Sequence, residues 1–202
     1  MSKLGVIGAG NMASAILSGA INSQFINPND ILAYDVLPEK CGLLKEKGIV
    51  PASSVEEIAS ECKYILLSVK PQVVPSVLYN ISKLVTPETV IISIAAGVNA
   101  KAISSHLGKS IKTVLVMPNT PIMVGCGTTA ICRNDLVSDE ELEFATGLFS
   151  SSGIVENIPA DKMNEVIAVH GSTPAYIYLI TKYFCEYASE HGISYNTANK
   201  MF

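Results

Sequence analysis

The feature that most constrains this chain is the glycine pattern G-x-G-x-x-A at residues 8–13, which follows a short apolar segment and opens a stretch with helical spacing. Residues 3–7 predict a buried strand and residues 11–23 predict a helix. In that context the first glycine permits a tight turn, the second lets backbone approach a pyrophosphate, and the alanine permits close helix–strand packing. The pattern predicts a dinucleotide-binding βαβ unit, with the phosphates at the helix N-terminus.

An acidic residue, Asp35, ends the second predicted strand at residues 31–35. Its expected role is to accept hydrogen bonds from the adenosine ribose hydroxyls. A 2′-phosphate about 4 Å away would be repelled by about 4 kcal/mol per charge pair at an effective dielectric of about 20. We therefore expect NAD(H) to be favoured, with NADP(H) as the alternative if Lys40 folds back. The other interpretation of Asp35 is a turn residue before Pro38.

The rest of the chain alternates between strand and helix patterns as far as Pro159. Further strands are expected at 49–50, 64–69, 89–94, 113–116, 127–132 and 153–157. Further helices are expected at 37–47, 72–84 and 138–150. Another helix is expected to start after a cap at Ser53 or Ser54 and to extend as far as residue 61. This alternation predicts an α/β fold with a Rossmann-like, doubly wound, mostly parallel sheet. Helical patterns at 161–169 and 174–191 predict the start of a small α-helical domain. The expected domains are 1–159 and 160–202.

Three predicted strands end in unusual loops, and ligands of open parallel sheets bind at such carboxyl ends. These loops are residues 68–71 (SVKP), 93–98 (SIAAGV) and 117–121 (MPNTP). Lys70 can point into the crevice, although a solvated loop lysine fits the spacing equally well. Asn119 could meet a carboxamide with donor and acceptor together.

Composition excludes several other classes of protein. The formal net charge is −4 and only 16% of residues are charged, so nothing favours a nucleic-acid partner. The five cysteines are odd in number and form no C-x-x-C pair, and the three histidines lie far apart, so neither a disulfide framework nor a metal site is expected. No apolar run is long enough to span a bilayer. A reduced, cytoplasmic setting fits best.

These loops, in this order, closely resemble the pyrroline-5-carboxylate reductase family. The matching segments are GAGNMASAI (8–16), SVKP (68–71), SIAAGV (93–98), MPNTP (117–121) and GSTPAY (171–176), and together they span essentially the whole chain. The resemblance implies an oxidoreductase of proline biosynthesis that reduces the C=N bond of 1-pyrroline-5-carboxylate with NAD(P)H, giving L-proline. It also implies hydride delivery to the imine carbon, with positioning and charge stabilisation supplying much of the catalysis.

The resemblance also assigns residues to the site. The expected catalytic residues are Asn119, near the nicotinamide, and Ser172; no metal is expected. The expected cofactor-binding residues are Gly8, Ala9, Gly10, Asn11, Met12, Ala13, Asp35, Ser68, Val69, Lys70, Pro71, Ala95, Ala96, Gly97 and Asn119.

Three departures from the family pattern bear on function. His170 stands where serine is common, and Thr173 stands where glycine is common. Asp35 replaces a small polar residue of many relatives. Family members also continue past residue 202, with C-terminal helices that form an intertwined dimer and a glycine- and threonine-rich helix start that holds the substrate. We therefore expect these 202 residues to bind cofactor but to reduce the imine slowly.

The apolar face of residues 174–191 predicts burial against another subunit, as a homodimer or higher homo-oligomer. Two alternatives to the imine reductase stay open. One is a cofactor-binding protein without catalysis, which senses redox state or pairs with a full-length partner. The other is a β-hydroxyacid dehydrogenase, but Lys182 lacks the glycine- and asparagine-rich setting of the catalytic lysine in those enzymes.

Overall fold

The computed structural model describes residues 4–202, which form one eight-stranded sheet followed by helices. The spatial order is β3-β2-β1-β4-β5-β6-β7-β8, parallel except where β7 meets β6 antiparallel. The strands are β1 (Leu4–Ile7), β2 (Ile31–Tyr34), β3 (Val50–Pro51), β4 (Tyr64–Leu67), β5 (Val90–Ser93), β6 (Lys112–Pro118), β7 (Gly127–Arg133) and β8 (Gly153–Asn157). The predicted Rossmann-like, mostly parallel sheet is confirmed.

Helices cover both faces of the sheet, which explains why β1, β4 and β5 are buried along their whole length and, apart from Ser93 and the ring oxygen of Tyr64, apolar. One face packs α1 and α6 around Phe149, and the other packs α3, α4 and α5 around Ile58 and Leu78. The helices before residue 159 are α1 (Asn11–Asn22), α2 (Pro38–Lys45), α3 (Val55–Glu61), α4 (Val74–Ile81), α5 (Ala100–Leu107) and α6 (Asp139–Ser150). These two apolar layers fix the strand ends on which the site is built.

Residues 160–202, all of which the structure describes, contain helices and no strands. A 3₁₀ turn (Ala160–Lys162) leads into α7 (Met163–Val166), a π-helical turn (Ile167–Gly171), α8 (Thr173–Glu190) and α9 (Tyr195–Met201). Met163 is buried against the second apolar layer, whereas in α8 only Cys185 is buried. Across residues 4–202 none of the helices combines the length and apolar character needed to cross a membrane.

Three helical features differ from the sequence prediction. The sequence pattern did not predict α5, which is capped at its start by Asn99, whose side chain accepts a hydrogen bond from the Ala102 N–H. The helix is followed by Gly108 in the left-handed region. The pattern also did not predict α9. The expected helix at 161–169 is divided into 3₁₀, α and π turns, because the chain changes its hydrogen-bond spacing where it meets the sheet.

Candidate functional site

The turn after β1 needs glycine at its first position and leaves open space at its second. Gly8 has φ of +98°, and a Cβ there would lie 2.4 Å from the carbonyl oxygen of Ser68, at the end of β4. Gly10 has ordinary extended backbone, and nothing lies within 4 Å of the position its Cβ would take. The turn can therefore approach a ligand closely at Gly10, as the motif predicts.

The N-terminus of α1 has no cap from the described part of the chain, residues 4–202. No side chain there accepts a hydrogen bond from its first N–H groups, and its first turn contains no acidic residue. The first backbone N–H groups of a helix have no partner within the helix, and the dipole makes that end attractive to anions. The arrangement suits a phosphate group at this end.

Asp35 holds the glycine-rich turn in place. Its Oδ2 accepts a hydrogen bond from the Ala9 N–H at 2.8 Å, and its Oδ1 accepts one from the Leu37 N–H at 3.0 Å. A carboxylate offers about four acceptor positions, so about two remain for hydroxyl donors. The bond to Leu37 fits the alternative interpretation of Asp35 as a turn residue before Pro38, and the bond to Ala9 is a role that the sequence did not predict. The contact with the ribose stays a prediction.

A groove of about 570 Å³ runs along the carboxyl ends of β1, β2 and β4. It brings together several predicted site residues and adds three that the sequence did not single out. Glu56 comes from α3, Val73 from the 3₁₀ turn before α4, and Val77 from α4. The lining residues are Ile7, Gly8, Gly10, Tyr34, Asp35, Val36, Lys40, Val55, Glu56, Ser68, Val69, Lys70, Val73, Ser76, Val77 and Asn80. Apolar side chains and a few polar groups in one groove are typical of a cofactor site.

Four residues of the motif present no side chain to this groove. One is Ala9, which is buried and donates its N–H to Asp35. Ala13 is fully buried, Met12 packs on the first apolar layer, and Asn11 lines a separate surface crevice beside α1. Residues 11–13 can meet phosphates through their backbone N–H groups near the start of α1. The side chains of Met12 and Ala13 cannot take part, because they pack inside the protein. The fourth residue of the SVKP loop, Pro71, begins a 3₁₀ turn and does not line the groove.

A second crevice, of about 240 Å³, lies between the carboxyl ends of β5 and β6. Residues 160–164 form its other wall, so the sheet and the helical segment meet there. Ala95 and Gly97 line it as predicted, but Ala96 is exposed and does not. Its lining is Ser93, Ala95, Gly97, Val98, Asn99, Leu115, Val116, Met117, Ala160, Asp161, Met163 and Asn164.

Asn119, after the end of β6, is nine-tenths buried and partly committed to the fold. Its side-chain Oδ1 accepts a hydrogen bond from the Thr128 backbone N–H at 2.9 Å, and the backbone N–H of Asn119 donates to the Thr128 carbonyl. One of the two acceptor positions of the Oδ1 is therefore used inside the protein, and the Nδ2 amide group remains as a donor. The expected donor-and-acceptor contact with a carboxamide stays a prediction.

His170 and Ser172 flank Gly171 at the end of the π-helical turn. The His170 Nε2 lies 2.8 Å from the Met117 carbonyl oxygen, and its Nδ1 lies 3.1 Å from the Val166 carbonyl oxygen. Ser172 precedes α8, and its N–H donates to the Ile167 carbonyl at 2.8 Å. No sequence signal predicts a contact between residues 53 positions apart, so the link from His170 to Met117 appears only in the fold.

Among residues 4–202, no group of three or more His, Cys, Asp and Glu side chains is arranged to hold a metal ion. The groove along β1, β2 and β4 offers two carboxylates, Asp35 and Glu56, and two lysines, Lys40 and Lys70, beside its backbone amides and hydroxyl side chains.

Comparison with known proteins gives two family matches. Residues 3–97 match a family described as "NADP oxidoreductase coenzyme F420-dependent", and residues 160–202 match "Pyrroline-5-carboxylate reductase dimerisation". The first match identifies the class of the glycine-rich half as pyridine-nucleotide oxidoreductases. The second covers the helical segment that follows the sheet.

Whole-chain relatives are consistent with both matches. The chain is 34% identical over 200 residues to pyrroline-5-carboxylate reductase of Escherichia coli, covering 98% of this chain and 74% of that protein. It is 31% identical to the Corynebacterium melassecola enzyme of the same name, covering 100% and 76%.

Comparison with solved structures gives the same family as the sequence relatives. The fold matches pyrroline-5-carboxylate reductase from Coxiella burnetii with a TM-score of 0.91 and 30% identity, covering 99% of this chain and 75% of that one. It matches Plasmodium falciparum pyrroline carboxylate reductase, solved with NADP bound, with a TM-score of 0.88 and 32% identity, covering 98% and 73%. By sequence, along essentially its whole length, the chain belongs to the pyrroline-5-carboxylate reductase family.

Proposed function

We propose that this protein reduces the C=N bond of 1-pyrroline-5-carboxylate with a reduced nicotinamide cofactor, giving L-proline. The observation that carries the proposal is the similarity to a pyrroline-5-carboxylate reductase over 98% of the chain. This similarity includes the residues that line the groove and the second crevice. The β-hydroxyacid dehydrogenase interpretation has weaker support, since a 3-hydroxyisobutyrate dehydrogenase is only 12% identical and shares the fold alone.

In this proposal the groove along β1, β2 and β4 holds the adenosine half of the cofactor and the start of α1 holds the pyrophosphate. The uncapped N–H groups of α1 and the open space at Gly10 support the phosphate position. Val36, Val69 and Val77 offer an apolar surface for adenine. The SIAAGV loop then directs the nicotinamide end toward the second crevice. When bound, the cofactor supplies the hydride.

We further propose that NADH is preferred to NADPH. Asp35 lies at the ribose end of the groove, and Glu56 lines the same groove, so a 2′-phosphate would meet two carboxylates. Lys40 and Lys70 also line it and reduce the repulsion. About 4 kcal/mol per charge pair at about 4 Å, reduced by screening, still corresponds to a preference of about tenfold or more.

At the substrate end, Asn119 and Ser172 are our candidate catalytic residues. The Nδ2 of Asn119 can donate to the nicotinamide carboxamide oxygen or to the imine nitrogen, because its Oδ1 is already bound to Thr128. The Ser172 hydroxyl stands at the start of α8, close in sequence to the π-helical turn. The reduction adds a hydride to the imine carbon and a proton to the nitrogen, so these side chains orient and polarise the substrate.

We propose that residues 1–159 form the dinucleotide-binding domain and residues 160–202 a dimerisation segment. The dimerisation match to 160–202 indicates a homo-oligomer. The proposed dimer surface is the apolar side of α8 and α9, where large side chains are about half exposed. These are Tyr176, Ile177, Ile180, Tyr183, Phe184, Tyr187, Tyr195 and Phe202. The five cysteines are all free thiols, which supports a reducing, cytoplasmic setting.

The test is a direct assay with the purified chain, NADH and 1-pyrroline-5-carboxylate, following the loss of nicotinamide absorbance and the appearance of proline. We expect turnover above background, with NADH used better than NADPH. A β-hydroxyacid offered with NAD⁺ serves as the control substrate. Thermal stabilisation by NADH without turnover would favour the cofactor-binding alternative and contradict the proposed reaction.

A further inference from the structure

One side chain makes the polar connection between the helical segment and the sheet. The His170 Nε2 lies 2.8 Å from the Met117 carbonyl oxygen, near the end of β6. Within residues 4–202, no other hydrogen bond or ion pair joins residues 160–202 to any of the eight strands. The remaining contacts across this junction are apolar, through Met163, Val166 and Ile167.

The imidazole has a backbone carbonyl within hydrogen-bond distance of each ring nitrogen. Its Nδ1 lies 3.1 Å from the carbonyl oxygen of Val166, one turn earlier on the same segment. A neutral imidazole carries one N–H, and the tautomer with that proton on Nε2 donates to Met117. The ring is half-buried, so water competes only in part for the bond.

This hydrogen bond joins two backbone segments that each lead directly to a proposed catalytic side chain. Met117 lines the second crevice, and Asn119 comes two residues later along the chain. His170 lies near the end of a π-helical turn, and Ser172 comes two residues after it. Such turns in α-helical segments are frequent at functional sites. This hydrogen bond therefore helps to set the separation between the two segments, together with the apolar contacts of Met163, Val166 and Ile167.

We propose that His170 is a positioning residue, which holds the helical segment on the end of β6 and so sets the gap between Asn119 and Ser172 for the substrate. This proposal rests on the proposed reductase function. An error of about 1 Å in such a gap lowers a reaction rate by about 100-fold when the reacting groups depend on it. The adenosine groove lies on other strands and does not depend on the bond.

The experiment compares three variants of the full chain: His170→Ala, His170→Gln and His191→Ala. A glutamine amide can donate to Met117 from nearly the Nε2 position, so His170→Gln should restore what His170→Ala loses. His191 is the matched control, because its Nδ1 also lies near a carbonyl one turn earlier, that of Tyr187 at 2.8 Å, but its ring does not reach the sheet. The measurements are kcat, KM, NADH affinity and amide hydrogen exchange.

We expect His170→Ala to lower kcat by about tenfold or more with NADH affinity within about twofold of the original. Exchange should rise in residues 163–172 and stay unchanged in α6, while His170→Gln and His191→Ala stay close to the original protein. Wild-type kcat in His170→Ala overturns the proposal, and so does an equal loss in His170→Gln. If the unaltered chain shows no turnover, the proposed function itself fails, and this inference falls with it.

Discussion

Two helices of equal length begin in opposite ways at opposite edges of the sheet. Helices α1 and α6 each have 12 residues. The start of α6 has a capping box, in which the Ser138 hydroxyl accepts from the Glu141 N–H and the Glu141 carboxylate accepts from the Ser138 N–H, and it has three acidic residues in its first turn. Within the described residues, the start of α1 has neither a side-chain cap nor an acidic residue.

The polar groups around the two helix starts show the same contrast. At the amino edge of the sheet, the buried Glu141 also pairs with Lys63 at 3.1 Å and Lys112 at 2.9 Å. Lys112 pairs with Glu88 as well, so two cations and two carboxylates balance within the chain. At the carboxyl edge, Asp35 accepts hydrogen bonds from two backbone N–H groups, and within the described residues no side chain caps the first N–H groups of α1. Helix ends that the chain satisfies by itself are structural, whereas an end left unsatisfied is available to a ligand.

The largest expected effect comes from supplying α1 with the cap it lacks. Gly10→Asp places a carboxylate at the N-cap without a clash, since nothing lies within 4 Å of the added Cβ. Aspartate is a favoured N-cap, so the fold should be as stable as before or slightly more stable. The same carboxylate repels a pyrophosphate, and we expect NADH affinity to fall by about 100-fold or more.

The control is Gly42→Asp, which adds the same charge on α2, again with nothing within 4 Å of the new Cβ. Titration of nicotinamide fluorescence gives the affinities, and thermal unfolding gives the stabilities. Equal NADH affinity in Gly10→Asp and the unaltered chain would show that the phosphates do not bind at α1.

The second expected effect is a change of cofactor preference. Asp35→Ser removes the carboxylate from the ribose end of the groove, and we expect the ratio of kcat/KM for NADH over NADPH to fall by about tenfold or more. The variant also releases the Ala9 N–H, so NADH affinity itself should fall. Glu56→Gln, in the same groove, should change the ratio in the same direction by less, because this side chain is exposed. An unchanged ratio in both variants would contradict the proposed preference for NADH.

The sequence predicted the elements that local patterns determine. The strands of the sheet follow from continuous apolar runs, and α1 follows from its spacing after the glycine pattern. The short helix α5 was missed because its Ser104-Ser105-His106 stretch is polar and its apolar face is only two residues, Ile103 and Leu107. Its packing on the second apolar layer is a tertiary effect that no local pattern predicts.

For the site as well, the sequence predicted which residues gather in the groove but not every contact they make. Gly8, Gly10, Asp35 and residues 68–70 come together in one groove because the carboxyl ends of parallel strands share an edge. The sequence analysis did not predict that the oxygen of Asn119 is bound to Thr128 or that His170 reaches Met117. Both depend on how the antiparallel strand β7 and the π-helical turn pack, so they are consequences of register and not of residue type.

The smallest expected effect concerns Glu141, at the capped start of α6. Burial by itself would raise the pKa of Glu141, but hydrogen bonds from Lys112, the Ser138 N–H and Lys63 outweigh it and hold the pKa below its ordinary value of 4.5. A carboxylate with a lowered pKa in the folded state stabilises the fold above its ordinary pKa, and this stability is lost as pH falls through the lowered value. Protonation of this group should therefore lower the stability of the fold as the pH falls.

Glu141→Gln keeps a side chain suited to the capping box but removes the charge. We expect about 1 kcal/mol lower stability near neutral pH, and a weaker dependence of stability on pH below about 4.5. Urea unfolding at several pH values measures both, with Glu143→Gln as the control, because Glu143 is an exposed residue of the same helix. NADH affinity should not change, since the cluster lies at the edge of the sheet opposite the cofactor groove. Equal pH profiles in the two variants would show that the ion cluster contributes no stability, and the contrast between the two helix starts would then rest on α1 alone.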